Sequence, residues 1–312
     1  MNQTFPHEFI LIGLSTNPCF QPLFFTIFIL IYTVTILGNV LVIMIVRINI
    51  QLQTPMYFFL SNLSFIDLCF STTVVPKLLI NTLSDDTSIS FLGCAAQMYF
   101  HLALGGTECI ILSVMAYDRY IAICNPLCYN TIMNMRLCVI LSAVTWIFNF
   151  LHSIFHAAIT FQLPFCRSTH VNHYFCEMPP LFKLSCKDTL WNEIALYFSG
   201  ATVGFCAFAL TLLSYVQIIS TILKMSSTKG RRKVFSTCTS HLCVVSLYYG
   251  TIVFIYLRPR GSYSVNRDRI VSILYTVVTP MFNPIIYSIR NNEVKGTLKK
   301  ILFRTQLQSS VH

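Results

Sequence analysis

The chain has 312 residues, of which 55% are hydrophobic and 10% are charged, with a mean hydropathy of +0.66. Soluble domains carry about 25% charged residues, so this composition excludes an ordinary soluble domain and predicts a membrane protein. The formal net charge of +10 does not indicate nucleic-acid binding, because no soluble region is long enough to form a basic binding surface.

Residues 1–22 form a short tail ahead of the first apolar segment. They lack the basic start, apolar run and small-residue cleavage site of a signal peptide, so the first apolar segment is expected to direct membrane insertion. Asn2-Gln3-Thr4 matches the glycosylation sequon, which makes Asn2 a candidate glycosylation site.

Seven apolar segments follow, each long enough to cross a bilayer core, which requires roughly 20 helical residues. They occupy residues 23–46, 56–80, 92–117, 137–161, 194–223, 234–257 and 270–289. The pattern predicts an all-α membrane protein with a seven-transmembrane helix bundle over residues 23–289. The longest connection, at 162–193, is expected to be an outer loop.

The distribution of Lys and Arg predicts the orientation, because cytoplasmic loops carry an excess of these cations. With the N-terminus outside, 13 of them fall on the inner side and eight on the outer side, and residues 229–233 carry most of the bias. We therefore expect an extracellular N-terminus at the plasma membrane and a cytoplasmic C-terminus.

Residues 290–312 are expected to form a cytoplasmic amphipathic helix and tail. Val294, Leu298, Ile301 and Leu302 fall at helical spacing on one face, with lysines around them. Such a helix would lie along the inner leaflet near anionic membrane lipids. A partly frayed tail is the alternative.

Four cysteines lie on the predicted outer side: Cys94 at the start of the third segment, and Cys166, Cys176 and Cys186 in the long loop. The exterior is oxidising, so disulfides are expected, and four thiols allow three pairings that spacing does not resolve. Cys19 is expected to be unpaired. A disulfide to the third segment would hold the loop over the bundle as a lid.

One face of the third segment carries polar residues along its whole length. Cys94, His101 and Glu108 are seven residues apart, and Arg119 lies eleven beyond Glu108, so all four share one helical stripe. His101 is either a ligand contact or a satisfied polar side chain. Asp118-Arg119-Tyr120 ends the segment on the inner side, as an interfacial anchor or as a switch.

Ionisable residues inside the membrane usually face the bundle interior. Asn39, Asp67, Glu108 and Asn283 are predicted to surround a cavity that holds water or a Na⁺ ion, whose charge would offset the carboxylates. A structural hydrogen-bond network is the alternative. Pro280 and Pro284 interrupt the backbone hydrogen bonds of the seventh segment and provide places to bend.

Five strings in fixed order resemble the rhodopsin-like G-protein-coupled receptors, and among them the vertebrate odorant (olfactory) receptors. They are LGN at 37–39, TPMYFFLSNLS at 54–64, MAYDRYIAIC at 115–124, FSTCTSHL at 235–242 and PMFNPIIYSIRN at 280–291. The resemblance implies a receptor rather than an enzyme. It implies an odorant as ligand, a stimulatory G protein of the olfactory type as partner, a rise in cAMP, and a location in the cilia of olfactory neurons.

The resemblance also implies roles for particular residues. It pairs Cys94 with Cys176 and Cys166 with Cys186, and it puts Tyr249 at the floor of the pocket. Tyr248 and Gln53 stand where the family commonly has Phe and His. The residues implied in G-protein coupling and switching are Asp118, Arg119, Tyr120, Tyr215, Asn283, Pro284 and Tyr287.

We expect a small, volatile, mainly apolar ligand in the outer half of the bundle. Gly105 and Gly106 either leave volume for it or allow close helix packing. A transporter or channel is the rival interpretation. It does not explain the polar stripe of the third segment, and the sequence shows no inverted repeat of the kind found in transporters. The candidate lining residues are His101, Leu102, Gly105, Gly106, Ser199, Val203, Tyr249, Ile252, Val253, Tyr256 and Thr276.

Overall fold

The computed structural model describes residues 6–14, 20–256, 265–290 and 296, except the side chains at 233, 236, 237, 253–256, 265–268 and 288–290. Asn2, Cys19 and the predicted amphipathic helix and tail at 290–312, apart from residues 290 and 296, lie outside the described residues.

Seven long helices, numbered first to seventh below, form a bundle. The first six are Gln21–Ile48, Pro55–Leu83, Phe91–Cys124, Met135–Phe161, Leu190–Lys224 and Thr228–Tyr256. The seventh consists of Val265–Ile273, a π-helical turn at Leu274–Val278, and Thr279–Arg290. Short helices occur at Ile50–Leu52, Pro126–Cys128, Tyr129–Ile132 and Met178–Phe182.

Six of these helices in the described part of the chain are long and apolar enough to cross a membrane, namely the first five and the stretch Arg269–Tyr287 of the seventh. Thr228–Tyr256 is a further helix of 29 residues. The chain is therefore a multi-pass membrane protein with the seven-helix fold. The helices extend beyond the predicted apolar segments at most ends, by up to seven residues at the inner end of the third helix.

Local signals set several helix boundaries. Pro22 and Pro55 lie in the first turns of their helices, where a missing N–H is tolerated. Ser90 caps the third helix by accepting a hydrogen bond from the Gly93 N–H at 3.1 Å. Asn134 caps the fourth in the same way, with the Leu137 N–H at 2.9 Å.

The third helix is central. In its most apolar stretch 61% of the residues are buried inside the protein, against 28% in the first and fourth helices. Many large apolar residues of the fourth and fifth helices are instead exposed on the outside of the bundle, among them Leu151, Phe155 and Phe198. This distribution suits helices that face lipid, and it puts the polar stripe of the third helix at the bundle axis.

A small three-stranded sheet covers one end of the bundle, which we call the outer end. β1 (Glu8–Leu11) lies between β2 (Ser88–Ser90), to which it is antiparallel, and β3 (His170–Val171), to which it is parallel. Phe9 and Leu11 of β1 are fully buried and belong to one apolar cluster with the loop between the fourth and fifth helices. This part of the N-terminal tail is thus built into the fold.

The seventh helix widens just before its first proline. The Thr279 hydroxyl donates to the Leu274 carbonyl, five residues back, at 2.9 Å. Pro280 has no N–H to continue the α-helical pattern, and the π-helical turn accommodates this interruption. The Pro280 carbonyl has no α-helical donor because residue 284 is also a proline, and it accepts a hydrogen bond from the Asn39 amide of the first helix at 3.0 Å.

Candidate functional site

Two disulfides hold the long loop over the outer end of the bundle. They join Cys94 to Cys176 and Cys166 to Cys186, the pairs that the family resemblance implies. Gln97 of the third helix adds a hydrogen bond, its side-chain carbonyl accepting from the Cys176 N–H at 2.9 Å. The loop segment beside Cys176 is therefore fixed against the third helix.

An aromatic cage surrounds His101 beneath this lid. The ring centroid of His101 lies 4.8 Å from Phe70, 4.6 Å from Phe175 and 5.7 Å from Tyr275. Nε2 of His101 is 3.4 Å from the Tyr275 hydroxyl oxygen, and its buried Nδ1 has no hydrogen-bond partner among the described residues. The second, third and seventh helices and the lid meet at this cage, which we call the His101 cage.

The lid also binds the seventh helix. The Tyr174 hydroxyl is 2.9 Å from the Thr276 hydroxyl, and His173 Nε2 is 3.1 Å from the Ser272 hydroxyl. Burial, followed by the nearby Arg269 guanidinium, lowers the pKa of His173 to about 3, and burial raises the pKa of Tyr174 above its ordinary value. Both side chains are therefore neutral at physiological pH.

Arg269 ties the lid to the N-terminal segment. Its guanidinium donates to the Gly13 carbonyl at 3.1 Å and to the side-chain carbonyl of Asn172. This one guanidinium thus joins the seventh helix to the long loop and to the segment that follows β1.

The candidate lining residues divide between the cage and other contacts. Thr276 binds Tyr174, Leu102 packs under the lid, and Ile252 packs against the main core. The Ser199 hydroxyl is engaged by His156 of the fourth helix at 2.9 Å, and Val203 is half-buried. The side chains of Val253 and Tyr256 lie outside the described set.

The two adjacent glycines of the third helix have different surroundings. A Cβ on Gly106 would collide with the Asn149 side chain of the fourth helix, whereas one on Gly105 would only touch Phe70 at 3.6 Å. Gly106 therefore allows the third and fourth helices to pack closely. The Gly105 carbonyl accepts a hydrogen bond from Tyr248 at 2.7 Å, and Tyr249 beside it donates to the Cys109 carbonyl at 3.3 Å.

Below this level lies a buried group of polar side chains. The Asn283 amide donates to both carboxylate oxygens of Asp67, at 3.1 and 3.0 Å. Glu108 interacts with Asp67 electrostatically and lies within reach of Asn283. One oxygen each of Asn39, Glu108 and Asn283 is buried with no hydrogen-bond partner in the described part of the chain. Two carboxylates and unpaired amide oxygens fit a hard cation such as Na⁺.

At the inner end, Arg119 is held by its neighbour. Its guanidinium forms an ion pair with Asp118 at 2.5 Å, and Tyr129 of the following short helix donates to the other oxygen of Asp118 at 2.8 Å. Burial and the Asp118 carboxylate raise the pKa of Tyr129, so its hydroxyl remains protonated and can donate. Asp118 is fully buried and only 12% of the Arg119 side chain is exposed.

The remaining predicted switch residues contact the fifth and sixth helices, the main core or the first helix. The Tyr215 hydroxyl is 2.6 Å from Nδ1 of His241, which is fully buried on the sixth helix. Tyr287 is buried in the main core, and Tyr120 packs beside the cluster that contains Tyr215. Pro284 contacts the first helix at Gly38, where an added Cβ would lie 3.0 Å from its ring.

Sequence reasoning missed several contributors to these sites, among them three rings of the cage and one strand. Phe70, Phe175 and Tyr275 complete the His101 cage, and β1 supports the lid. Phe175 is adjacent to a predicted disulfide cysteine, which was a usable signal. Phe70 and Tyr275 look like any apolar helix residues, and β1 has only four residues, too few for a strand pattern.

Comparison with known proteins identifies the family. The sequence model described as olfactory receptor matches residues 28–305. The chain belongs to the olfactory receptor family. Olfactory receptors are G-protein-coupled receptors that bind odorants, and they are not enzymes.

Individual olfactory receptors match over nearly their whole length. Mouse (Mus musculus) olfactory receptor 5AP2 is 49% identical over 96% of this chain and 95% of its own. The dog (Canis lupus familiaris) olfactory receptor-like protein OLF3 is 48% identical over 96% and 95%. Human (Homo sapiens) olfactory receptor 2F1 is 48% identical over 97% and 96%.

Proposed function

We propose that this receptor binds a small, volatile, mainly apolar odorant in the outer half of the bundle, at the His101 cage. The observation that carries the proposal is the cage itself, where aromatic rings from the lid and two helices surround a buried ring nitrogen that has no partner among the described residues. Aromatic surfaces suit an apolar body, and Nδ1 of His101 suits one polar group on it.

The same pocket would extend toward the sixth helix. Tyr249 forms its floor, and Gly105, Ile252 and Val203 contribute to its walls in this proposal, whereas Gly106 packs against Asn149. Phe208 of the fifth helix packs on Tyr249 with ring centroids 5.3 Å apart, so a ligand that displaces Tyr249 would act on both helices.

Binding favours an arrangement in which the inner end of the sixth helix moves outward and Arg119 leaves Asp118. The ligand can shift this equilibrium only by its differential affinity for the two states. The cavity so opened accepts the tail of a stimulatory, olfactory-type G protein, and cAMP rises. The ion pair at 2.5 Å and the Tyr215–His241 contact are the interactions that would have to rearrange.

A Na⁺ ion is proposed among Asn39, Asp67, Glu108 and Asn283. The ion supplies positive charge, while the amide of Asn283 holds the Asp67 carboxylate in place. Replacing Na⁺ by choline is expected to lower the thermal midpoint of the purified receptor. The Asp67→Asn variant should lose this dependence, and a dependence that persists in that variant would refute the site.

The lid end is proposed to face the exterior at the plasma membrane of olfactory cilia. Disulfides persist in oxidising surroundings, and both lie at this end. In the same orientation, we propose that Asn2 is glycosylated and that the amphipathic helix and tail at 290–312 lie at the inner leaflet. Epitope tags at the two ends should be accessible from opposite sides of the membrane in intact cells. Access from the same side would refute the orientation.

The functional test is an odorant panel applied to cells that express the receptor with an olfactory-type stimulatory G protein. At least one odorant should raise cAMP in the wild type. Arg119→Ala should abolish the response at equal surface expression. A response that persists in Arg119→Ala, or ligand-evoked ion flux without a G protein, would overturn the proposed coupling.

A further inference from the structure

We propose that His152, His156 and Ser199 form a binding site for a divalent transition-metal ion such as Zn²⁺ at the contact between the fourth and fifth helices. The three residues are called the helix 4–5 cluster below. The site is separate from the His101 cage and does not depend on the proposed odorant.

Three potential ligand atoms converge in the helix 4–5 cluster. Nε2 of His156 lies 3.2 Å from Nε2 of His152 and 2.9 Å from the Ser199 hydroxyl oxygen. The two histidines are four residues apart on one helix, so they project from the same face. Two nitrogens bound at about 2.0–2.1 Å to a tetrahedral zinc ion are about 3.3 Å apart, close to the observed separation.

Hydrogen bonding alone accounts poorly for this convergence. A neutral imidazole Nε2 either donates one hydrogen or accepts one, yet Nε2 of His156 faces two partners. The Ser199 hydroxyl donates to the Leu196 carbonyl at 3.4 Å, which leaves its oxygen lone pairs directed elsewhere. A shared cation satisfies both ring nitrogens and the hydroxyl oxygen together.

The cluster is within reach of ions from the outer side. His156 precedes the end of the fourth helix at Phe161 by five residues, a depth of about 8 Å along the axis. That depth is close to the boundary between headgroups and hydrocarbon. His156 is buried and His152 is half-buried, so His152 provides the exposed edge of the site.

The ligand atoms of the helix 4–5 cluster determine which metal ions would bind there. Imidazole nitrogens favour Zn²⁺ and Cu²⁺, whereas Ca²⁺ and Mg²⁺ require several oxygen ligands. No group of three His, Cys, Asp or Glu residues suited to a metal occurs within the described ranges, so water would complete the coordination. Nδ1 of His156 has no partner in those ranges to support the ring, which favours a reversible, micromolar site over a permanent one.

The test uses the full-length receptor purified in detergent with a tag that contains no histidine. Zn²⁺ at about 100 µM should raise the thermal midpoint, because a ligand that binds only the folded state stabilises it. The rise should be lost in His152→Ala and in His156→Gln, which keeps a polar group near Ser199 but coordinates zinc poorly. Cu²⁺ added to the wild type should give a spin-resonance spectrum with coupling to two nitrogens.

Two matched variants keep the test decisive. His156→Cys restores a zinc ligand and should retain the shift, a result that a purely structural hydrogen bond does not explain. His170→Ala removes an exposed loop histidine outside the cluster and should behave as the wild type. An unchanged zinc effect in His152→Ala and His156→Gln, or no zinc effect in a folded wild-type receptor, would overturn the proposal.

Discussion

Nδ1 of His101 is one of several buried polar atoms near the bundle axis that lack a partner in the described structure. Leaving such an atom unpaired costs about 1–3 kcal/mol, and a protein retains it where a ligand or water can supply the missing bond. The rings around His101 are apolar surfaces, so in the proposed binding mode Nδ1 would supply the polar contact to the odorant.

His101→Phe tests that role with an aromatic ring of similar size. The variant keeps an aromatic ring in the cage and removes both nitrogens. For an odorant with a hydrogen-bonding group, we expect the half-maximal concentration in the cAMP assay to rise about ten-fold, corresponding to roughly 1.4 kcal/mol. A matched hydrocarbon odorant should be unaffected, and equal losses for the two would contradict selective polar contact.

Gly38 is a second residue whose neighbours leave little room for a larger side chain. A Cβ there would lie 3.0 and 3.2 Å from two ring carbons of Pro284, and a proline ring inside a helix has little freedom to move. Gly38→Ala should therefore lower the thermal midpoint, since overpacking costs about 1–3 kcal/mol. Gly204→Ala is the control: nothing lies within 4 Å of its added Cβ, so helix propensity should make it neutral or stabilising.

Among the elements, β1 connects parts of the chain that are far apart in sequence. It pairs with β2 and β3, and Phe9 packs edge-on against Phe165 with ring centroids 5.3 Å apart. Phe9→Ala is expected to destabilise the lid by about 3–5 kcal/mol, as for other buried aromatic residues. Proteolysis of the outer loop should accelerate, whereas Glu8→Ala, at an exposed position of β1, should leave the rate unchanged.

Acid should also lower the stability of the lid, because protonation of His173 favours the unfolded state. Its pKa of about 3 is depressed by burial and by Arg269, whereas the unfolded chain protonates near its ordinary value of 6.5. The unfolded state therefore binds more protons between pH 6.5 and 3, and stability is full above this window and falls as pH decreases through it. His173 is enclosed by Ser272, Glu177 and its neighbouring aromatic rings.

His173→Gln should reduce the loss of thermal midpoint between pH 7 and about 4. Glutamine does not titrate, and it can still bond to the Ser272 hydroxyl. His170→Gln, on the exposed part of the same loop, serves as the control. A pH profile for His173→Gln that coincides with the wild type would show that this imidazole remains uncoupled from folding.

At the scale of the whole molecule, activation of the receptor requires contacts at the inner end that are weaker in the active state than in the inactive state. Asp118→Asn keeps an acceptor for Tyr129 but removes the charge that holds Arg119. We expect basal cAMP to rise several-fold at equal surface expression, because the restrained state loses an ion pair largely shielded from solvent. A basal level equal to that of the wild type would argue against the ion pair as a restraint.

The sequence predicted the bundle and much of its polar axis. The length of each apolar segment and the spacing of His101, Glu108 and Arg119 are visible in the order of residues along the chain. The disulfide pairs came from family resemblance alone, since spacing left three pairings open. The cage depends on Phe70 and Tyr275, whose proximity arises from packing between helices. The π-helical turn depends on how the seventh helix accommodates Pro280, and the prolines indicated only that some interruption would occur.

The central position of β1 has a consequence for biosynthesis. A ribosome adds about 5–20 residues per second, so β1 leaves the ribosome roughly ten to thirty seconds before its parallel partner β3 is made. During that interval four helices have to insert while Phe9 and Leu11 lack the burial they have in the finished protein. Chaperone demand and quality-control losses of this receptor should therefore be concentrated in the time before the fourth helix and the following loop are complete.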